Sequence, residues 1–161
     1  MALGIGAAAA AAGLLAACGG SSTKRDVNTA VSKPLKATIL VDSRGRTLYE
    51  FDMDISNTPS CYDDATYHCS KGWLPLLVHG TPKAGKGVDA SLLTTVKRTD
   101  GTVQVSYKHH PLYTFAGFAS GGNAPAAPGD TKAGDVNGQA YIDLWWVLSP
   151  TGQLIKTRPP G

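Results

Sequence analysis

The side chains able to do chemistry are few, and most of them have a plain structural use as well. His109 and His110, with His79 or His68, offer imidazoles that suit copper, zinc or haem iron. Adjacent histidines on a strand point to opposite faces, whereas in a turn they can converge or simply stand in solvent. Asp130, Asp135 and Asn137 beside Gly134 and Gly138 offer oxygen ligands. Their spacing departs from an EF-hand loop, and Asx turns use the same residues. Gly80-x4-Gly85-Lys86-Gly87 imitates the start of a phosphate-binding loop, but lacks the Ser or Thr after the lysine and the strand-then-helix setting. No Gly-x-Ser-x-Gly elbow occurs, and Asp52 and Asp54 alternate along one strand edge rather than forming a glycosidase pair. The chain is therefore expected to have no catalytic residue and no resident cofactor. His109 and His110 are the residues that would hold haem or a metal ion if one were carried.

Seven aromatic residues stand out: Tyr49, Phe51, Trp73, Tyr113, Phe115, Trp145 and Trp146. They could present a stacking surface to a flat ligand such as a haem, quinone or flavin. They also recur at strand period, and small β domains draw much of their buried area from aromatic rings, which favours a core.

The elements that would position these residues read as strands. Ile39 and Val41 alternate, 42–45 supplies a turn, and Thr47, Tyr49 and Phe51 alternate again. Val103, Val105 and Tyr107 repeat the pattern, with a turn at 108–111, then Tyr113 and Phe115. Laying 39–51 over 103–115 at one constant offset matches Val41 with Val105, Leu48 with Leu112, Tyr49 with Tyr113 and Phe51 with Phe115. This reads as an internal duplication. Each copy ends in tryptophan, Trp73 in one and Trp145-Trp146 in the other. Asp89 is a plausible N-cap for a short helix near 89–96, and the Gly-, Ala- and Pro-rich stretch 118–129 reads as a surface loop. The expected fold is all-β or β-rich α+β. It has two similar hairpin-based units, about 38–78 and 102–149, with approximate internal two-fold symmetry, inside one domain spanning 36–161. Each unit opens with a hairpin and closes with its Trp-bearing strand, so that the Tyr-x-Phe faces meet.

Residues 1–17 are uncharged and almost wholly Ala, Gly, Leu and Ile, too short for a bilayer span that needs about 20 apolar residues. They read as a signal peptide, although the first charge is Lys24, which predicts a basic stretch upstream of Met1. Leu15-Ala16-Ala17-Cys18 resembles the bacterial lipobox. That resemblance implies a lipid-bearing Cys18, stably anchored by two or more acyl chains such as palmitate. Residues 18–35 then read as the lipidated cysteine and a flexible tether reaching roughly 20–25 Å. Lipidation leaves Cys61 and Cys69 as an even pair, expected to form a disulfide in an oxidising compartment. A metal site on Cys61, His68 and Cys69 is the competing reading, short of the four ligands a structural zinc requires. A net charge of +3, scattered along the chain, gives no nucleic-acid footprint.

Tyr49-Glu50-Phe51-Asp52-Met53-Asp54 is a Tyr-x-Phe-x-x-Asp motif. With 45–48, 87–93, 98–101, 111–117 and 134–139 it resembles the bacterial lipoprotein family "secreted repeat of unknown function", over about 38–152. The resemblance implies an exported, duplicated, β-rich domain. Three departures stand out. The cysteines are spaced Cys61-x7-Cys69 rather than Cys-x3-Cys. The tryptophan segment is Trp73-Leu74-Pro75-Leu76 rather than Trp-Pro-Pro-Leu. In the second motif the inserted 118–129 displaces the aspartate to Asp130. The expected function is a membrane-anchored, non-enzymatic binding or envelope-interaction domain for an unknown small ligand or envelope protein. Its place is the outer membrane if the cell has one, and otherwise the outer face of the cell membrane. The alternative is a redox accessory protein of the envelope that carries haem or a metal ion.

Overall fold

β-Branched and aromatic residues fall in short bursts separated by Gly, Pro and Asp, a composition that fits pleated, half-buried strands. A computed structural model describes residue 1 and residues 24–63, 68–119 and 125–160; Cys18, the expected signal peptide and the first part of the expected tether lie outside them. The first hairpin joins β1 (Val27–Ser32) to β2 (Ala37–Asp42), antiparallel, with Val27 opposite Asp42. The Asp42 carboxylate then builds the next turn. Its Oδ1 accepts the backbone N–H groups of Arg44 and Arg46, and its Oδ2 takes the Arg46 guanidinium at 2.8 Å. The chain returns through Leu48 into β3 (Tyr49–Phe51). A one-turn helix, α1 (Cys69–Gly72), leads directly into β4 (Trp73–Pro75).

The second half repeats this plan. β5 (Leu93–Lys97) pairs antiparallel with β6 (Val103–Tyr107), and β6 with β7 (His110–Pro111). β8 (Tyr113–Phe115) follows. A two-residue ladder of β9 (Gly117–Phe118) and β10 (Ala127–Pro128) leads to β11 (Trp145–Leu148), and β12 (Leu154–Ile155) pairs with β11.

The largest sheet has the order β12-β11-β3-β8-β4. Its central pair is antiparallel and sets Tyr49 opposite Tyr113. These are equivalent positions of the two Tyr-x-Phe motifs, and an antiparallel pair that places a residue opposite its own equivalent carries a two-fold axis between the strands. The flanking strands obey the same axis. Trp145, Trp146 and Val147 lie opposite Phe51, Glu50 and Tyr49, and Trp73, Leu74 and Pro75 lie opposite Phe115, Thr114 and Tyr113. The Asp52 N–H bonds the Leu144 carbonyl at 2.9 Å, and its counterpart, the Ala116 N–H, bonds the Gly72 carbonyl at 2.7 Å.

The tryptophans meet at this axis. Trp73 and Trp145 stack with centroids 3.7 Å apart, Phe51 covers Trp145 at 4.2 Å, and Phe115 covers Trp73 at 4.2 Å. The four rings form one column. Tyr49 meets Trp73 edge-on, and Tyr113 meets Trp145 in the same way, both at 5.2 Å. A second cluster of Val27, Leu40, Leu48, Val105, Tyr107, Leu112 and Leu148 joins the hairpins of the two halves.

Both repeats begin one strand earlier than the sequence indicated. β1 occupies part of the 18–35 stretch read as tether. It has no run of alternating large apolar residues, because only its ends, Val27 and Ser32, are buried. The helix expected near 89–96 is a single 3-10 turn, Ala90–Leu92, followed by β5. Asp89 does cap that turn, accepting the Ser91 N–H at 2.9 Å, but Thr94, Thr95 and Val96 are β-branched and continue as strand. The constant offset between repeats also fails before the turns. Leu48 bonds back to Leu40, whereas Leu112 bonds back to Val105, one residue closer. Val105 therefore corresponds to Leu40, its neighbour in the second cluster, and not to Val41, which lies in the first. The shorter turn is made by Lys108 and His109 at φ +49° and +66°, the pair of positive φ values that a two-residue primed turn requires.

Phe115→Ala is expected to cost about 3–5 kcal/mol, because the ring is fully buried against Trp73. Phe51→Ala should cost less, about 2 kcal/mol, since Phe51 is only half-buried at the end of the same column. Denaturant unfolding of the two variants checks both the size and the order; an equal cost would contradict the column.

Candidate functional site

The motif aspartates are brought back to the tyrosines, but crosswise. Tyr113, of the second repeat, donates its hydroxyl to Asp54 Oδ2 of the first at 2.7 Å. Tyr49, of the first repeat, donates to Asp130 Oδ2 of the second at 2.7 Å. Each aspartate is held from behind by a downstream backbone group. Asp54 Oδ1 accepts the Ser60 N–H at 2.7 Å, and Asp130 Oδ1 accepts the Asn137 N–H at 2.9 Å. The Asp54 N–H bonds the Phe51 carbonyl at 2.8 Å, and the Asp130 N–H bonds the Phe115 carbonyl at 2.9 Å. Asp130 is therefore the structural equivalent of Asp54.

The inserted segment leaves this geometry intact because it is pinched off at its base. Phe118 lies opposite Ala127 and Gly117 opposite Pro128, so the excursion leaves and re-enters at one point. A Cβ on Gly129 would sit 2.3 Å from the Ala116 oxygen, so only glycine lets the two ends approach this closely. Phe118 also stacks on Tyr141 at 5.7 Å, so the start of the 118–129 stretch is packed against the core rather than being loop throughout.

Burial sets the electrostatics of this pair of clasps. It pushes the Asp130 carboxyl up to about 6, against hydrogen bonds from Tyr49 and Asn137 that pull it down. Asp54 is raised for the same reason. Both phenols are raised as well, first by burial and then by the adjacent carboxylate. A phenol held protonated is a permanent donor, and its carboxylate partner is an acceptor. The arrangement joins two repeats; it does not offer a nucleophile.

The remaining residues singled out in the sequence are dispersed. Cys61 and Cys69 form a disulfide with Cα atoms 5.2 Å apart. Trp146, buried, donates its indole N–H to Asp52 at 2.8 Å, beneath the Lys156 ammonium 4.0 Å from its ring. His109 is exposed in its turn, and His110 lies half-buried with Nδ1 3.6 Å from Glu50 Oε2. Asp135 accepts the N–H groups of Thr131 and Lys132. Among the described residues, no group of three or more His, Cys, Asp and Glu is placed to hold a metal ion, and no helix is long and apolar enough to cross a membrane.

Two buried polar residues gave no sign in the sequence. Glu50 is 3% exposed and sits on the sheet face opposite the aromatic column. Burial raises its carboxyl pKa, and its Oε1 has no hydrogen-bond partner. Its place between Tyr49 and Phe51 in an alternating strand reads as solvent-facing; the later β7 segment is what covers it. Arg98, 3% exposed, donates to the Cys61 carbonyl at 2.7 Å and to Gln104 Oε1 at 2.6 Å, tying the disulfide loop to β6. In sequence it belongs to a polar turn, Arg98-Thr99-Asp100-Gly101.

The family described as "secreted repeat of unknown function" matches residues 94–123, which run from β5 through the second Tyr-x-Phe strand. This is the family that the sequence motifs resemble, and its description as secreted is consistent with an extracytoplasmic location. No curated protein and no solved structure matches the chain.

Tyr49→Phe should cost about 1–3 kcal/mol, because it strips a buried carboxylate of its donor. A double-mutant cycle with Asp130→Ala should recover a coupling energy of at least 0.5 kcal/mol, roughly the lower end for directly bonded pairs. Additive single costs would contradict the clasp.

The pH dependence follows from Asp130. Its folded value of about 6 lies above the ordinary 3.8, so between these values the folded state holds a proton that the unfolded state has lost. This contribution to stability is complete below about pH 4 and is lost as pH rises through 6, on the order of 3 kcal/mol in all. Unfolding measured from pH 4 to 7 should show a decline that Asp130→Asn makes shallower, the remainder coming from the raised carboxyls of Asp54 and Glu50; an unchanged pH slope in the variant would contradict it.

Proposed function

We propose that the protein is a lipid-anchored domain outside the cytoplasm that serves as a rigid, non-enzymatic binding or envelope-interaction module. The observation that carries this reading is the use made of the motif. Its aromatic rings and its Tyr–Asp pairs are all spent on joining the two repeats, so the residues that define the family build a scaffold. A reactive centre would leave at least one such group open to a substrate. The anchor is supported by Leu15-Ala16-Ala17-Cys18 at the end of an uncharged apolar run, with acyl chains giving stable membrane attachment.

Two measurements test the proposal. In a bacterial host, Cys18→Ser should abolish lipid labelling and move the protein from the membrane fraction to the soluble fraction; equal labelling of variant and parent would overturn the anchor. Protein purified without added ligand should be colourless and free of stoichiometric metal. A Soret band or bound metal would instead support a redox accessory role through haem or a metal ion.

A further inference from the structure

The strand that the lipid-bearing segment enters brings a basic surface with it. β1 begins at Val27, and the residue before it is tied to a distant segment. The Asp26 N–H bonds the Lys83 carbonyl at 2.9 Å, and the Asp26 carboxylate accepts the Lys83 N–H at 2.8 Å. The Gly85 N–H bonds the Val27 carbonyl at 2.7 Å, Val27 bridges Ala84 in parallel, and the Thr29 hydroxyl donates to the Lys86 carbonyl at 3.1 Å. A Cβ on Gly85 would fall 2.0 Å from Asn28 Oδ1, which is why the segment lies so close. Lys24, Arg25, Lys83 and Lys86 are all exposed around this junction. The nearby acids are engaged locally, Asp26 by the Lys83 backbone and Asp89 by Ser91.

The distance to the membrane is bounded by covalent geometry. Eight residue steps separate Cys18 from Asp26, and a chain spans at most ~3.6 Å per residue, so the junction lies no more than about 29 Å from the anchor. Only about half of the 18–35 stretch remains to span that distance, because β1 takes up much of the rest. We infer that the face bearing Lys24, Arg25, Lys83 and Lys86 docks on anionic lipid headgroups of the membrane that holds Cys18. The inference rests on the anchor proposed above. It is argued from where the tether enters the fold, its short reach, and charge complementarity: juxtamembrane Lys and Arg clusters are attracted to anionic leaflets within a Debye length. Docking would fix which way the domain faces and leave the opposite surface for a partner.

The test uses the processed chain, residues 18–161 with Cys18→Ser, so that neither lipid attachment nor the apolar 1–17 run plays a part in it. Co-sedimentation at low salt with vesicles of phosphatidylglycerol and phosphatidylcholine should exceed that with phosphatidylcholine alone, and should fall as salt is raised. Lys83→Glu/Lys86→Glu should weaken it at least tenfold. Lys97→Glu/Lys132→Glu, which reverses two exposed lysines on other elements, should change it less than twofold. Absence of binding to anionic vesicles, or equal loss in both double variants, would overturn the inference; equal loss would mark attraction by net charge alone. If Lys83→Glu/Lys86→Glu does not fold, Lys83→Gln/Lys86→Gln takes its place, with at least threefold weakening expected. Failure of lipid labelling at Cys18 in cells would be a separate result, against the anchor.

Discussion

The aromatic core depends on the contact between Trp73 and Trp145, stacked 3.7 Å apart where the two repeats meet. A lone hairpin is marginal in water, and neither repeat encloses its own aromatic face. Stacking brings each tryptophan under the other repeat's motif strand, since Phe51 covers Trp145 and Phe115 covers Trp73. Burying the rings also buries the phenols of Tyr49 and Tyr113, and a buried hydroxyl left without a partner is costly. Those partners, Asp130 and Asp54, come from the opposite repeat in each case. The Tyr-x-Phe-x-x-Asp motif is thereby explained as one device in three parts: a donor to reach across, a ring to cover the partner's tryptophan, and an acceptor to receive the reciprocal donor. Neither half satisfies its own motif, which makes the two halves one cooperative unit.

Much of this was legible in the residues, and the parts that were not have physical reasons. Tyr49, Phe51, Tyr113 and Phe115 alternate strictly because their strands are buried on the aromatic face, so period two located them. The same logic hid β1 and β5. These strands lie at the edges of their sheets, where β1 buries only its two ends and β5 is nowhere fully buried, so their sequences, Val-Asn-Thr-Ala-Val-Ser and Leu-Thr-Thr-Val-Lys, lack a continuous apolar face. β1 and β5 are equivalent positions in the two repeats, so one physical cause hides both. The Val41–Val105 identity misled in a related way. One extra residue in the first turn shifts the preceding strand by one place, and in a strand one place reverses every side chain. Asp130 was recognisable as a motif residue, but its return to position depended on the pinched base of the inserted segment, where Gly129 lets two backbones touch.

The two-fold relation also separates positions that serve the fold from positions free to differ. On the aromatic face the repeats agree: Tyr with Tyr, Phe with Phe, Trp with Trp. On the other face they do not. Glu50 corresponds to Thr114, Trp146 to Leu74, and Asp52 to Ala116. The first member of each pair belongs to a linked polar group in which Trp146 and Lys156 hold Asp52 while Glu50 lies under His110.

Nothing in the symmetric core requires that divergence. A Thr at position 114 satisfies the same register as a Glu at position 50, at far lower desolvation cost. The buried carboxyl of Glu50, with Oε1 lacking a partner, is thus an expense borne by one repeat alone. Stability does not account for it, since the fold offers its own example of the cheaper solution. The face that carries Glu50, Asp52, Trp146 and His110 is therefore where the chain departs from a pure scaffold, and where its individual character, as distinct from the shared architecture of its two repeats, resides.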